Sequence, residues 1–108
     1  MIYWFYLLGA IVFEVLGTMA LKYSSVNASA IYSWLTALLY LIAFTLLWYA
    51  IKKIDIGTAY AIWAGLGTAF IAILGVYFFD EDMTLLKVLF ILMIIIGAVG
   101  LKYVSGGH

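Results

Sequence analysis

In the stretch AIVFEVLGTMALKYS, residues 10–24, apolar residues flank one carboxylate, Glu14, on both sides. The other acids, Asp55, Asp80, Glu81 and Asp82, fall in polar connectors, so Glu14 is the one acid inside an apolar segment. Insertion scales put the cost of an Asp at a bilayer centre at about 2.5–3.5 kcal/mol, and intramembrane acids face protein or water-filled cavities and mark ion or substrate pathways. The chain has no Arg, and no Lys stands mid-segment to neutralise Glu14. Its charge must be met by a proton or by a cationic ligand. A site that holds one or the other, but not both, is the minimum chemistry of an antiporter. Each pH unit across a membrane supplies about 1.4 kcal/mol per proton, and each 100 mV about 2.3 kcal/mol per net charge moved. The alternative is a structural carboxyl hydrogen-bonded to a neighbouring helix.

Around Glu14, Leu7, Ala10, Ile11, Gly17, Thr18 and Leu21 recur at spacings of three, four and seven, which places them on one helical face with it. Gly17 and Thr18 leave space beside the carboxyl, for a large ligand or for close approach of another helix. In GTAYAIWAGLG, residues 57–67, the same spacing aligns Tyr60, Trp63 and Gly67, and Tyr40 lies near the middle of another apolar segment. Aromatic faces attract cations, quaternary ammonium groups in particular, since these cannot donate hydrogen bonds. For Tyr60, near a segment end, an interfacial anchor is the competing reading. Gly65 and Gly67, with Ala61 and Ala69, form a small-residue surface for helix packing, and GAVG at 97–100 places Gly97 and Gly100 for a fourth-helix contact within or between subunits. Lys22 reads as a lysine that snorkels to the interface.

These residues need a scaffold inside a membrane, and the composition requires one. The 108 residues are 69% hydrophobic and 9% charged, with a mean hydropathy of +1.26, far from the soluble balance of about half apolar and a quarter charged. A bilayer-spanning helix needs roughly 20 apolar residues. Four stretches meet this: 3–21, 31–51, 56–79 and 85–101, joined by KYSSVNAS, KKID and DEDMT. The apolar runs are continuous rather than alternating, which selects helices over a barrel. Tyr3, Trp4, Tyr6, Tyr32, Trp34, Trp48, Tyr49, Tyr77 and Tyr103 cluster near the span ends, where interfacial belts form. The expectation is an all-α membrane protein, a single four-helix transmembrane domain over residues 1–108. Its first apolar stretch lacks the basic region and cleavage site of a removable signal peptide.

Little room remains for other functions. No soluble domain is expected, and a net charge of zero gives no nucleic-acid footprint. There is no cysteine, the single His108 ends the chain, and neither a metal site nor a cofactor is expected. An enzyme is disfavoured, because one buried acid lacks a nucleophile–base pair or metal ligands. With an even number of spans, Lys52, Lys53 and Lys102 lie on the terminal side and Lys22 and Lys87 opposite. That bias is small enough to allow insertion both ways up, and hence an antiparallel dimer. Four helices are also few for enclosing a polar cavity, which itself points to a dimer.

In span count, length and loop placement, and in FEVLGTMALKYS around Glu14, IGTAYAIWAGLG at 56–67 and the terminal IGAVGLK, the chain resembles the small multidrug resistance transporters. The resemblance implies proton-coupled export across the inner membrane by an antiparallel dimer, with no cofactor beyond the proton gradient. Protons and lipophilic organic cations would compete for Glu14, with Tyr40, Tyr60 and Trp63 lining the site. One branch of that family exports bulky quaternary ammonium cations and another guanidinium ions. The guanidinium branch resembles FEVVW around its glutamate and carries a nearby serine in the second helix. Here Gly17 and Ala43 hold those positions, which favours the multidrug branch. Two departures stand out. Phe90 occupies the place, seven before Gly97, of a usual small residue, and DEDMT is acidic and lacks the common proline. The second feature resembles members that act as heterodimers, so a paralogous partner is an alternative to the homodimer. A non-transporting membrane assembly subunit is the alternative from another class.

Overall fold

The computed structural model describes residues 2–105 and is all-α: helices α1 (Ile2–Asn27), α2 (Ala30–Ala50), α3 (Ile56–Phe79) and α4 (Leu85–Ser105). Each is long and apolar enough to cross a membrane. His108 lies outside the described residues. The third helix has the bounds expected from the sequence, whereas α1 and α4 continue past Leu21 and Leu101. In α1 the polar run KYSSVN marks where the chain leaves hydrocarbon, but it contains neither Gly nor Pro, so nothing in it stops a helix. The connector is therefore only Ala28 and Ser29.

The chain divides into two compact units, α1 with α2 and α3 with α4. In the first pair Leu7, Ala10, Ile11, Val15 and Gly17 of α1 are buried with Thr36, Ala43 and Ala50 of α2. Leu7, Ala10, Ile11 and Gly17 belong to the stripe set out by the three–four spacing, Val15 lies outside it, and Thr18 is half-buried. Leu21, expected to extend it, is exposed, and burial resumes at Ser24. Small residues let the two helices approach closely: a Cβ added at Gly9 would lie 3.1 Å from Leu46 Cδ1. Most other large apolar side chains, Phe5, Trp34, Leu41 and Phe44 among them, face outward. In water such a surface would aggregate, and in a bilayer it is solvated by lipid tails. Hydroxyls survive inside the spans by bonding back along their own helix, as Thr45 does to the Leu41 carbonyl and Thr68 to that of Ala64.

The turn between α1 and α2 is held by serines. The Ser29 N–H donates to the Ser24 carbonyl at 3.1 Å, and the Ser24 hydroxyl donates to the Ser29 carbonyl at 2.7 Å. A hydroxyl has one proton to give, so in the 2.6 Å contact between Ser24 and Ser33 the donor is Ser33. This closure places Ala28 at φ 51°, the left-handed conformation that favours glycine at helix ends. Ala28→Gly is accordingly expected to raise stability by about 0.5–1 kcal/mol, since relief of the steric cost exceeds the added freedom of the unfolded chain. Chemical denaturation in detergent checks it; no change or a loss would show that the turn tolerates the Cβ.

At the other end of this pair, Tyr6 stacks on Tyr49 with centroids 5.4 Å apart, and Lys52 Nζ sits 4.3 Å from the Trp48 ring centroid. An amphipathic belt of this type fixes a helical pair at the headgroup level.

In the second pair Ala59, Ile62, Gly67, Ala69 and Gly75 of α3 are buried, with Ala98 of α4. Gly65 meets α4, where an added Cβ would lie 3.1 Å from Ile94 Cγ2. At the start of α4 the Thr84 hydroxyl accepts the Lys87 N–H at 3.2 Å, capping the helix. Gly97 and Gly100 are exposed with nothing within 4 Å, so neither supplies a contact inside the pair. The buried small residue of GAVG is Ala98 instead.

Candidate functional site

Glu14 lies at the middle of α1, and is the only acid in the four helices. Thr18, one turn on, donates its hydroxyl to Glu14 Oε1 at 3.3 Å. The Thr18 and Tyr40 hydroxyls are 2.6 Å apart. With the Thr18 proton directed at the carboxylate, Tyr40 must be the donor in that contact. A relay thus runs from Tyr40 on α2 through Thr18 to Glu14. The other carboxyl oxygen, Oε2, is buried and has no hydrogen-bond partner among the described residues.

Gly17 makes the relay sterically possible. A Cβ there would lie 2.8 Å from both Cδ1 and Cε1 of Tyr40, and 3.3 Å from Leu39 Cβ. The space foreseen at Gly17, for a ligand or a close helix, faces α2. The Tyr40 ring fills it and brings its hydroxyl to Thr18. Glu14, Gly17, Thr18 and Tyr40 therefore form one cluster on the α1–α2 pair. Tyr60 and Trp63 are together on α3, their rings edge to face with centroids 5.9 Å apart. Tyr60 is exposed and Trp63 half-buried. Gly67 is buried, and Gly65 faces Ile94 of α4.

Sequence reasoning missed Thr36. Its hydroxyl is buried, 3.0 Å from the Gly17 carbonyl and 2.9 Å from that of Tyr32. The available signal was its place one turn before Tyr40 on an apolar helix, where interhelical hydroxyl bonds are common. No group of three or more His, Cys, Asp or Glu side chains capable of holding a metal occurs among the described residues.

The site is thus a half-buried acid on apolar spans, with one oxygen served by a hydroxyl and the other buried without a partner among the described residues. Comparison with known proteins places the chain in a family. The family model described as Small Multidrug Resistance protein matches residues 2–96. A relative from Bacillus subtilis (strain 168), the "Uncharacterized membrane protein YvaE", is 39% identical over 102 residues, covering 94% of this chain and 86% of the relative. The chain belongs to the small multidrug resistance family and is a small multi-pass membrane transporter of the multidrug, cation-efflux kind.

Proposed function

We propose that this chain is a proton-coupled antiporter that exports lipophilic and quaternary ammonium cations across the inner membrane by alternating access, with protons and substrate competing for Glu14. The observation that carries the reading is the carboxyl: the only acid of the spans, with one oxygen served by Thr18 and the other buried without a partner. Such an oxygen is satisfied by its own proton or by a cation. On cation binding the carboxyl O–H breaks, the proton leaves to bulk, and the carboxylate stays to face the cation. When the proton returns it settles on Oε2, and Oε1 continues to accept from Thr18. Tyr40, Tyr60 and Trp63 supply aromatic faces for cations that lack N–H donors.

The working unit in this proposal is an antiparallel homodimer. Gly97 and Gly100 support it, being open on α4, and so does the small lysine asymmetry. A paralogue in place of one copy is a variant of the same architecture.

One observation favours a second reading, export of guanidinium ions. The Thr18 and Tyr40 hydroxyls orient the carboxyl, as recognition of a planar N–H donor requires. The two readings separate in proteoliposomes carrying an outward-directed substrate gradient. Tetraphenylphosphonium is expected to drive proton uptake and guanidinium not to do so. The reverse order would assign the guanidinium branch, and no coupled flux with either would favour a non-transporting subunit. Tyr40→Phe keeps the ring over Gly17 but removes the donor to Thr18. It is expected to weaken tetraphenylphosphonium binding about fivefold, the worth of one ordinary hydrogen bond. Titration by intrinsic fluorescence checks this, and unchanged affinity would remove the relay from the binding step.

A further inference from the structure

Thr36 has no part in the exchange as set out above, yet its hydroxyl is among the most buried polar groups of the α1–α2 pair. One proton serves two carbonyls, that of Tyr32 on its own helix at 2.9 Å and that of Gly17 on α1 at 3.0 Å. The bond to Tyr32 is the usual accommodation of a threonine in a helix. The bond to Gly17 is not needed for that purpose and ties two helices together. Thr36 and Tyr40 lie four residues apart on one face of α2. Both meet Gly17, the hydroxyl at its carbonyl and the ring at its bare Cα.

We infer that Thr36 is a positioning residue for the exchange site: its hydroxyl sets the register of α1 against α2 that brings the Tyr40 hydroxyl to Thr18 and so to Glu14. The tie is also releasable. If α1 shifts, the proton passes wholly to the Tyr32 carbonyl, and no buried donor is left unsatisfied. The consequence for transport rests on the antiport reading, while the consequence for geometry does not.

Two variants separate the hydroxyl from the methyl. Thr36→Val keeps the shape and loses the hydrogen bond, and Thr36→Ser keeps the bond and loses the methyl. In protein carrying ¹³C-tyrosine, the Tyr40 Cζ resonance, assigned through Tyr40→Phe, reports whether its hydroxyl still meets Thr18. Thr18→Val, which removes the acceptor, sets the full displacement. Thr36→Val is expected to move the resonance most of that distance and to weaken tetraphenylphosphonium binding about fivefold. Thr36→Ser should leave the resonance in place and the affinity within about twofold. The opposite order, an equal displacement in both variants, or none in either would overturn the assignment, because the hydroxyl would then not be what places Tyr40. If the predicted resonance order holds but wild-type protein binds no cation, the positioning role stands and the antiport reading fails.

Discussion

Glu14→Gln is expected to reduce proton-coupled export by at least about a hundredfold while the protein still folds. The amide matches the carboxyl in shape and can still accept from Thr18, so the contact at Oε1 and the packing of α1 on α2 have no reason to change. What the amide lacks is a proton that can be exchanged for a cation. Removing an ionisable group from a membrane span also removes a cost, so the melting temperature in detergent should hold or rise. Transport by reconstituted vesicles under a pH gradient, read beside the melting curve, checks both parts. Retained coupled export would place proton exchange on some other group, and the described spans hold no other acid. Lost export together with lost folding would instead make Glu14 a structural carboxyl.

The second large effect is at Gly17. An alanine there would bring its Cβ within 2.8 Å of two Tyr40 ring carbons, closer than side chains normally approach. The ring has little freedom to retreat, because its hydroxyl is held at Thr18 and the Leu39 Cβ blocks the same space at 3.3 Å. Either Tyr40 leaves Thr18 or α2 moves off α1. Overpacking of this kind costs about 1–3 kcal/mol, and Gly17→Val should lie at the upper end. Tetraphenylphosphonium affinity is expected to fall at least about tenfold, with a lower melting temperature. A double-mutant cycle with Tyr40→Leu identifies the cause, since removing the ring should restore most of the lost stability. Additive losses would mean that the collision is not with Tyr40.

The elements were readable because bilayer thickness fixes how much apolar sequence a helix needs, and the polar connectors mark where each span ends. The same signal misplaced the end of α1. KYSSVN shows where the chain enters water, not where helical hydrogen bonding stops, which the serine-closed turn at Ala28 decides. Within α1, helical spacing alone placed Leu7, Ala10, Ile11, Gly17 and Thr18 with Glu14. Periodicity says nothing of how one helix registers on the next, so the pairing of Thr18 with Tyr40 and the presence of Thr36 behind Gly17 were not readable. Glycine types were equally ambiguous. Gly65 packs against α4 and Gly17 against Tyr40, whereas Gly97 and Gly100 meet nothing inside their helical pair, although all four look alike in sequence.

The central claim, that the intramembrane carboxyl trades its proton for a lipophilic cation, is tested most directly by proton release from detergent-solubilised, weakly buffered protein. On adding tetraphenylphosphonium near neutral pH, wild-type protein should release protons in proportion to the cation bound, and Glu14→Gln none. Release that persists in Glu14→Gln, or cation binding by the wild type with no proton released, would contradict the account.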